Sequence, residues 1–428
     1  MFNRVKKNPV LTNAGIYVIS TVINQALPFL LLPLLTRYLN PREYGYVALY
    51  QLYFAFSNIL CGSQTTFNIS KNFYTHDKES MARLISNLTI ISLIATSLIL
   101  LLIHLVLLTF GNIFSFPEKW IYILPAVSFF SNIGLFNVVV LRNRQRAMDF
   151  GKFQLILTTM NVGLSIFLIV IFKQGWEGRV RGISIAYIIY GIVGLYYLIR
   201  TGYFQIDINR NTIRDIVEVT SFLVPSAFLF KIIDHSWKIF INNRFGKYEV
   251  GIYNISFSMG MIVFFLSLSV FQSLEPWLYE KLSQTSRDIE KSIMRVILLY
   301  FTGLLLLAGL ISIFSGFIIR LMTTPEYYSA SHYVIWISFG FAFWGIYSIF
   351  VPFIIKRDKQ KVLLLITLIG AIVNLSSNYI LIQSHGLAGA GQSFLLTYLV
   401  MFILISIYVS KLYDLHWVGM IKQGIKKA

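Results

Sequence analysis

The chain is poor in charged residues and in cysteine. Only 13% of its 428 residues are Asp, Glu, Lys or Arg, about half the share found in a soluble globular domain. Its single cysteine, Cys61, excludes an intramolecular disulfide and any cysteine-based metal cluster. Every loop between its apolar segments is short, so the sequence predicts no soluble domain. A soluble enzyme or a disulfide-stabilised secreted domain is therefore excluded.

Hydrophobic residues are abundant, at 56% of the chain. Several apolar runs reach the length of about 20 residues that crosses a bilayer as a helix. The short alternating segments of a transmembrane β-barrel are absent. The sequence thus predicts an all-α integral membrane protein with twelve transmembrane helices. The predicted spans are 11–36, 44–68, 84–110, 119–141, 153–173, 182–200, 218–241, 250–274, 295–319, 330–355, 362–383 and 390–410.

Basic residues predict the orientation of these spans. With both termini in the cytoplasm, the inner segments hold 25 Lys and Arg residues and the outer loops hold 9. Cytoplasmic loops of membrane proteins carry such an excess of basic residues. The net charge of +18 is then a consequence of topology, and the sequence predicts no nucleic-acid partner.

Short loop motifs recur in the same order in both halves of the chain. The matched motifs are "NPREYG" (40–45) with "GKYEVG" (246–251), "FPEKW" (116–120) with "TPEYY" (324–328), and "RNRQR" (142–146) with "KRDKQK" (356–361). They predict two six-helix lobes, 1–205 and 206–428, that share one orientation in the membrane. Transporters use this arrangement, with the substrate site between the halves.

The stretch "FLFKIIDHSWKIF" (228–240) places four ionisable side chains inside a predicted span. Lys231, Asp234, His235 and Lys238 share one helix face by their spacing. Each Lys or Asp at mid-membrane costs about 2.5–3.5 kcal/mol. The face holds two lysines against one aspartate, which favours a cationic cavity wall that binds an anionic substrate. The alternative is a structural ion pair, with Lys238 extending to the outer interface.

A second polar position lies in the first predicted helix. An offset of about 207 residues between the halves puts Asn24 opposite Lys231, and Gln25 follows it. These two side chains are candidates for the same cavity. They could equally form hydrogen bonds that hold helices together.

Four segments resemble a known family. They are "LLPLLTRYLNPREYGYVALYQ" (31–51), "LVP" (223–225), "FGKYEVGIYNIS" (245–256) and "TPEYYSAS" (324–331). They are similar to bacterial polysaccharide flippases, the Wzx-type O-antigen translocases of the multidrug/oligosaccharidyl-lipid/polysaccharide (MOP) exporter superfamily. Many of these relatives carry an Asp-Arg pair towards the outer end of helix 7. Trp237 and Lys238 stand at that place here, so an ion-coupling role does not transfer directly to Asp234.

The resemblance implies a two-lobed, MATE-like transporter of the bacterial inner membrane. Its expected substrate is an undecaprenyl-pyrophosphate-linked oligosaccharide, an O-antigen or capsule repeat unit, flipped by alternating access. Expected partners are a polysaccharide polymerase and a chain-length regulator. No cofactor or metal is expected, and H⁺ or Na⁺ is the candidate coupling ion. The rival predictions are a multidrug antiporter of the same fold and a membrane-embedded polysaccharide polymerase or ligase. Short outer loops and the absence of a catalytic motif favour a protein that is not an enzyme.

Overall fold

A computed structural model describes residues 31–282 and 287–413, and these residues fold entirely into helices and connecting turns. We number the α-helices in chain order. They are α1 (Leu32–Tyr38), α2 (Pro41–Leu60), α3 (Thr66–Asn72), α4 (Lys78–Phe110), α5 (Glu118–Asn143), α6 (Ala147–Ile166), α7 (Gly175–Arg200), α8 (Arg210–Phe245), α9 (Lys247–Leu282), α10 (Arg287–Met322), α11 (Val334–Lys356), α12 (Gln360–His385) and α13 (Leu387–Leu412).

Ten helical segments within the described residues are long and apolar enough to cross a membrane. They coincide with the third to twelfth predicted spans, which confirms those predictions. The first predicted span, 11–36, lies mostly outside the described residues. Several helices extend beyond their predicted spans. One example is α8, which begins at Arg210. The hydropathy pattern placed its start near residue 218, because the first two turns of the helix are polar. The cytoplasmic location of both termini stays a prediction.

The second predicted span, 44–68, is wrong as a single helix. Helix α2 ends at Leu60, and Gly62 adopts φ = 108° before a short 3₁₀ turn leads into α3. A backbone break of this kind is tolerated in a membrane where side chains satisfy the freed carbonyls. The Ser92 hydroxyl donates to the Cys61 carbonyl (2.6 Å), and the Thr65 hydroxyl donates to the Gly62 carbonyl (2.7 Å). The buried Cys61 therefore lies at the break and not within a helix.

The helices form two compact units. Unit 1 comprises the chain up to Leu39 and Tyr46–Phe228, and unit 2 comprises Asn40–Gly45 together with the chain from Leu229 onward. The division falls within α8. The predicted six-helix lobes, 1–205 and 206–428, stay a prediction.

In unit 1, α5 and α7 pack closely because glycines lie at their contact. A Cβ atom on Gly191 would overlap the Phe130 carbonyl, and one on Gly194 would come within 2.9 Å of the Gly134 Cα. Small residues let membrane helices approach at backbone distance. Close packing makes this helix pair a rigid part of unit 1.

Turns in the two halves of the chain repeat the same backbone geometry. Gln145 and Asp358, at the two basic loops, both have positive φ, at 55° and 53°. Lys173 and Gly386 form a second pair, at 51° and 60°. In both pairs the two residues are 213 positions apart in the sequence. The correspondence supports the internal repeat indicated by the loop motifs.

The first pair of repeated motifs forms a contact within unit 2. A Cβ atom on Gly45 would overlap the Lys247 carbonyl, and a Cβ atom on Gly251 would overlap the Pro41 carbonyl. Gly45 of α2 thus faces the first residue of α9, and Gly251 of α9 faces the first residue of α2. The requirement for Gly at both positions comes from this reciprocal approach.

Candidate functional site

Helix α8 carries the four predicted ionisable residues in one continuous helical segment of unit 2. Lys238 is buried, with only 3% of its surface exposed. Lys231, Asp234 and His235 are half-buried. The four residues therefore lie on one helix at the spacing that the sequence predicted. Their functional role stays a prediction.

The Asp234 side chain is held by a tyrosine of α13. The Tyr398 hydroxyl donates to Asp234 Oδ1 at 3.0 Å. Lys231 and Lys238 stand three and four positions from Asp234 on the same helix, so the alternative of a structural ion pair on α8 stays a prediction.

Lys238 lies beside a packed tryptophan. The Lys238 Nζ is 5.4 Å from the centroid of the Trp237 ring, within cation–π range. Trp237 packs in turn on Tyr253, with 4.5 Å between ring centroids. The Nδ1 atom of His235 is buried and makes no hydrogen bond within the described residues.

A network of neutral polar side chains fixes α8 beside this charged face. The Ser236 hydroxyl donates to Asn374 Oδ1 (2.7 Å) and accepts from Asn378 Nδ2 (3.0 Å). Asn374 Nδ2 donates to the Thr397 hydroxyl on α13 (3.1 Å). Interhelical hydrogen bonds of this kind contribute about 0.6 kcal/mol each in membrane proteins. Together they hold the register of α8, α12 and α13.

The sequence analysis did not identify the side chains that surround the charged face. Asn374 and Asn378 lie four residues apart in an otherwise apolar helix, a signal that was available in "NLSSN". Tyr398 gave no signal, because it is one of 25 tyrosines. Asn24 and Gln25, the remaining predicted site residues, lie outside the described residues.

A buried arginine in unit 1 was also missed, because the sequence placed it in an outer loop. Arg179 on α7 is 5% exposed. Its Nη1 donates to Asn161 Oδ1 and to the Ser165 hydroxyl, both at 2.5 Å. The flanking glycines in "GRVRG" were the available signal, since a Cβ on Gly182 would come within 2.6 Å of the Ser165 hydroxyl.

Solved structures of similar fold are transporters. The chain resembles an inward-facing multidrug resistance MATE family transporter of the MOP superfamily, with a TM-score of 0.65 and 15% identity over 94% of this chain and 99% of that one. It resembles the outward-facing form of such a transporter with a TM-score of 0.62 and 16% identity over 97% and 98% of the two chains. A mutant of the Vibrio cholerae MATE transporter VcmN gives 0.56 and 16% identity over 96% of each chain. The fold of this chain is therefore MATE-like.

Sequence comparison gives the family within that class. The pattern of the polysaccharide biosynthesis protein family matches residues 10–282, more than half of the chain, and that of MatE matches residues 224–380. The chain therefore belongs to the polysaccharide biosynthesis protein family, as the sequence resemblance predicted. An uncharacterized membrane protein of Haemophilus influenzae is 23% identical over 286 residues, covering 65% of this chain and 67% of the relative. A multi-span protein of this family fits the bacterial inner membrane.

Proposed function

We propose that this protein translocates a polyprenyl-pyrophosphate-linked oligosaccharide across the bacterial inner membrane by alternating access. Membership of the polysaccharide biosynthesis protein family supports a glycan substrate. The observation that carries the proposal is the surplus of lysine on the membrane-spanning face of α8. Lys231 and Lys238 share that face with one aspartate.

Charge matching connects this face to a pyrophosphate group. A lysine within a membrane span costs about 2.5–3.5 kcal/mol, so its retention requires a compensating interaction. The face carries two lysines and one carboxylate, Asp234, which accepts a hydrogen bond from the Tyr398 hydroxyl. A doubly phosphorylated headgroup would supply negative charge that matches the surplus of lysine.

The coupling of transport to an ion would use the remaining two groups. Asp234 and His235 stand one position apart on α8, and the buried Nδ1 of His235 makes no hydrogen bond to a described residue. Protonation of either group would change the net charge of the lysine-bearing face. We propose H⁺ as the coupling ion, with Na⁺ binding at Asp234 as the alternative.

Complementation tests the proposal. A strain lacking the gene receives wild type, Lys231→Ala, Lys238→Ala or Lys238→Arg at equal membrane abundance, and surface polysaccharide is quantified. We expect both alanine variants to lower it at least tenfold and Lys238→Arg to restore part of it. Lys361→Ala, at an exposed position of α12, is the matched control and should behave as wild type.

Two outcomes would contradict the proposal at different levels. Normal surface polysaccharide without the gene would refute the glycan substrate. Full activity of both alanine variants would show that the lysines are structural, while leaving the substrate class standing.

Drug export is the second candidate function, because the MatE pattern covers residues 224–380 and therefore includes the charged face. Structures of similar fold are described as multidrug resistance transporters. The surplus of lysine disfavours cationic drugs through charge repulsion. Measured drug susceptibility of the deletion strain separates the two functions, and increased susceptibility with normal surface polysaccharide would favour export.

A further inference from the structure

Unit 1 contains a polar cavity whose lining includes none of the four ionisable residues of the α8 face. Its volume is about 490 Å³, within the roughly 300–1,000 Å³ of small-molecule sites. It lies between α3, the beginning of α4 and the first turns of α8. Basic residues predict that this end of the unit is cytoplasmic, the side on which a lipid-linked glycan is assembled.

Two helix faces build the cavity, each from residues three or four positions apart. On α3, Asn68, Lys71 and Asn72 follow the pattern i, i+3, i+4. On α8, Thr212 and Asp215 lie on one face with Val219. Positions at this spacing share one side of a helix. The two faces therefore present several polar groups to one space.

An extended linker holds the beginning of α8 in this position. Asn87 of α4 is fully buried and donates its amide nitrogen to the Asp207 carbonyl at 2.7 Å. Its amide oxygen accepts from the Asn209 backbone nitrogen at 3.1 Å. The neighbouring Ser86 hydroxyl donates to the Gln205 carbonyl at 2.6 Å. These contacts fix the linker to α4, so the cavity is part of the packed unit.

Several groups that line the cavity have unused capacity for hydrogen bonding. Asn68 is 3% exposed and uses its amide nitrogen towards the Thr65 carbonyl and the Thr220 hydroxyl. Its amide oxygen accepts no hydrogen bond from any described residue. Asp215 and Glu218 form no ion pair within 4 Å across the described part of the chain. A buried amide and two carboxylates are therefore available to a ligand.

The chemistry of the lining selects a polyhydroxylated ligand. Amide, hydroxyl and carboxylate groups are suitable partners for sugar hydroxyls. The apolar Leu84 and Val219 offer surface to the C–H faces of a sugar ring. One lysine against two carboxylates gives a formal charge of −1 with His76 neutral, which disfavours a pyrophosphate. No group of three metal-binding side chains occurs in the described residues.

We propose that this cavity is an entry subsite for the sugar portion of the substrate, selective for neutral or amino sugars. The inference rests on the proposed function and extends it, because it assigns recognition of the glycan to residues of unit 1 that are not part of the charged face of α8. The sugar is bound there by Asn68, Asn72, Asp215 and Glu218. Binding at this subsite precedes translocation.

The experiment fills the cavity and measures binding directly. Purified full-length protein in nanodiscs is titrated calorimetrically with the soluble oligosaccharide released by mild acid from the lipid-linked intermediate of the host strain. Thr212→Trp places an indole in the cavity, and Val217→Trp places one on the exposed side of the same helix as control. A double variant, Asp215→Asn with Glu218→Gln, removes charge at nearly constant shape. Thr212→Ser tests whether position 212 tolerates substitution.

We expect Thr212→Trp to weaken binding at least tenfold and to lower surface polysaccharide in the complementation strain. Val217→Trp and Thr212→Ser should match wild type in both assays. The double variant should weaken binding about threefold to tenfold. Wild-type binding by Thr212→Trp, or no oligosaccharide binding by wild type at millimolar concentration, would overturn the subsite. Normal surface polysaccharide in a strain that lacks the gene would instead overturn the proposed function, so the two failures remain distinguishable.

Discussion

The two units bury positive charge in different surroundings. Unit 1 surrounds the Arg179 guanidinium with neutral oxygens from Asn161 and Ser165. Unit 2 places Lys231 and Lys238 on one face with a carboxylate, which a tyrosine hydroxyl engages. A guanidinium presents fixed donors in a planar arrangement, whereas a lysine ammonium is mobile and can change partner. The comparison indicates a structural cation in unit 1, whereas the function proposed for unit 2 requires lysines that can change partner.

The largest expected effect on stability is at Arg179. Arg179→Ala removes hydrogen bonds from a buried charged group and the packing of its stem, and should lower the free energy of unfolding by about 3 kcal/mol. Arg181→Ala, two residues away, removes a surface pair with Glu177 and should cost less than about 1 kcal/mol. Thermal unfolding of the purified variants measures both. Equal losses would show that Arg179 contributes no more to stability than a surface arginine, which would contradict its structural role.

The polar network of unit 2 provides the next test. Asn374→Ala removes the acceptor of Ser236 and the donor to Thr397, and should lower the free energy of unfolding by about 1–2 kcal/mol at about 0.6 kcal/mol per hydrogen bond. Ser384→Ala on the same helix loses only bonds to its own helix backbone and should have almost no effect. Denaturation in detergent compares the two variants. If Asn374→Ala were as stable as its control, the network would not hold α8 in register.

A matched pair of tyrosine substitutions compares the units directly. The Tyr398 hydroxyl bonds the Asp234 carboxyl, and the Tyr50 hydroxyl of unit 1 bonds the Ser184 hydroxyl at 2.7 Å. A hydrogen bond to an ionised group is about twice as strong as a hydrogen bond between two neutral groups. Tyr398→Phe should therefore cost about 1 kcal/mol and Tyr50→Phe about half as much. Equal costs, measured by equilibrium unfolding, would show that the Asp234 carboxyl is neutral in the folded protein.

The smallest effect concerns a helix cap on the surface of unit 1. The Ser80 side chain and backbone N–H hydrogen-bond the Asp77 carboxylate and lower its pKa. Because the pKa is lower in the folded state, the cap contributes fully above the pKa of the unfolded chain and loses its contribution as the pH falls through the folded pKa. Asp77→Asn keeps a cap without a titrating group. Wild type should therefore lose stability in acid relative to Asp77→Asn, and parallel pH profiles would contradict this.

The sequence was most informative where a physical pattern extends over many residues. Apolar length predicted twelve spans, of which the described residues confirm ten, and the spacing of charged residues predicted one face of α8. Local breaks and partners across helices were not predictable in the same way. The turn at Gly62 depends on the Ser92 hydroxyl 30 residues away, and the partner of Asp234 is a tyrosine on α13. Such contacts depend on packing, which a single sequence does not specify.

The reciprocal approach of Gly45 and Gly251 has a consequence for biogenesis. The two glycines are 206 residues apart in the sequence, yet each faces backbone belonging to the other motif. During synthesis, the segment Asn40–Gly45 has no partner until the ribosome has completed Lys247–Gly251. Contacts of such long sequence separation form late. The contact of the early motif must therefore wait until some two hundred further residues have been synthesised.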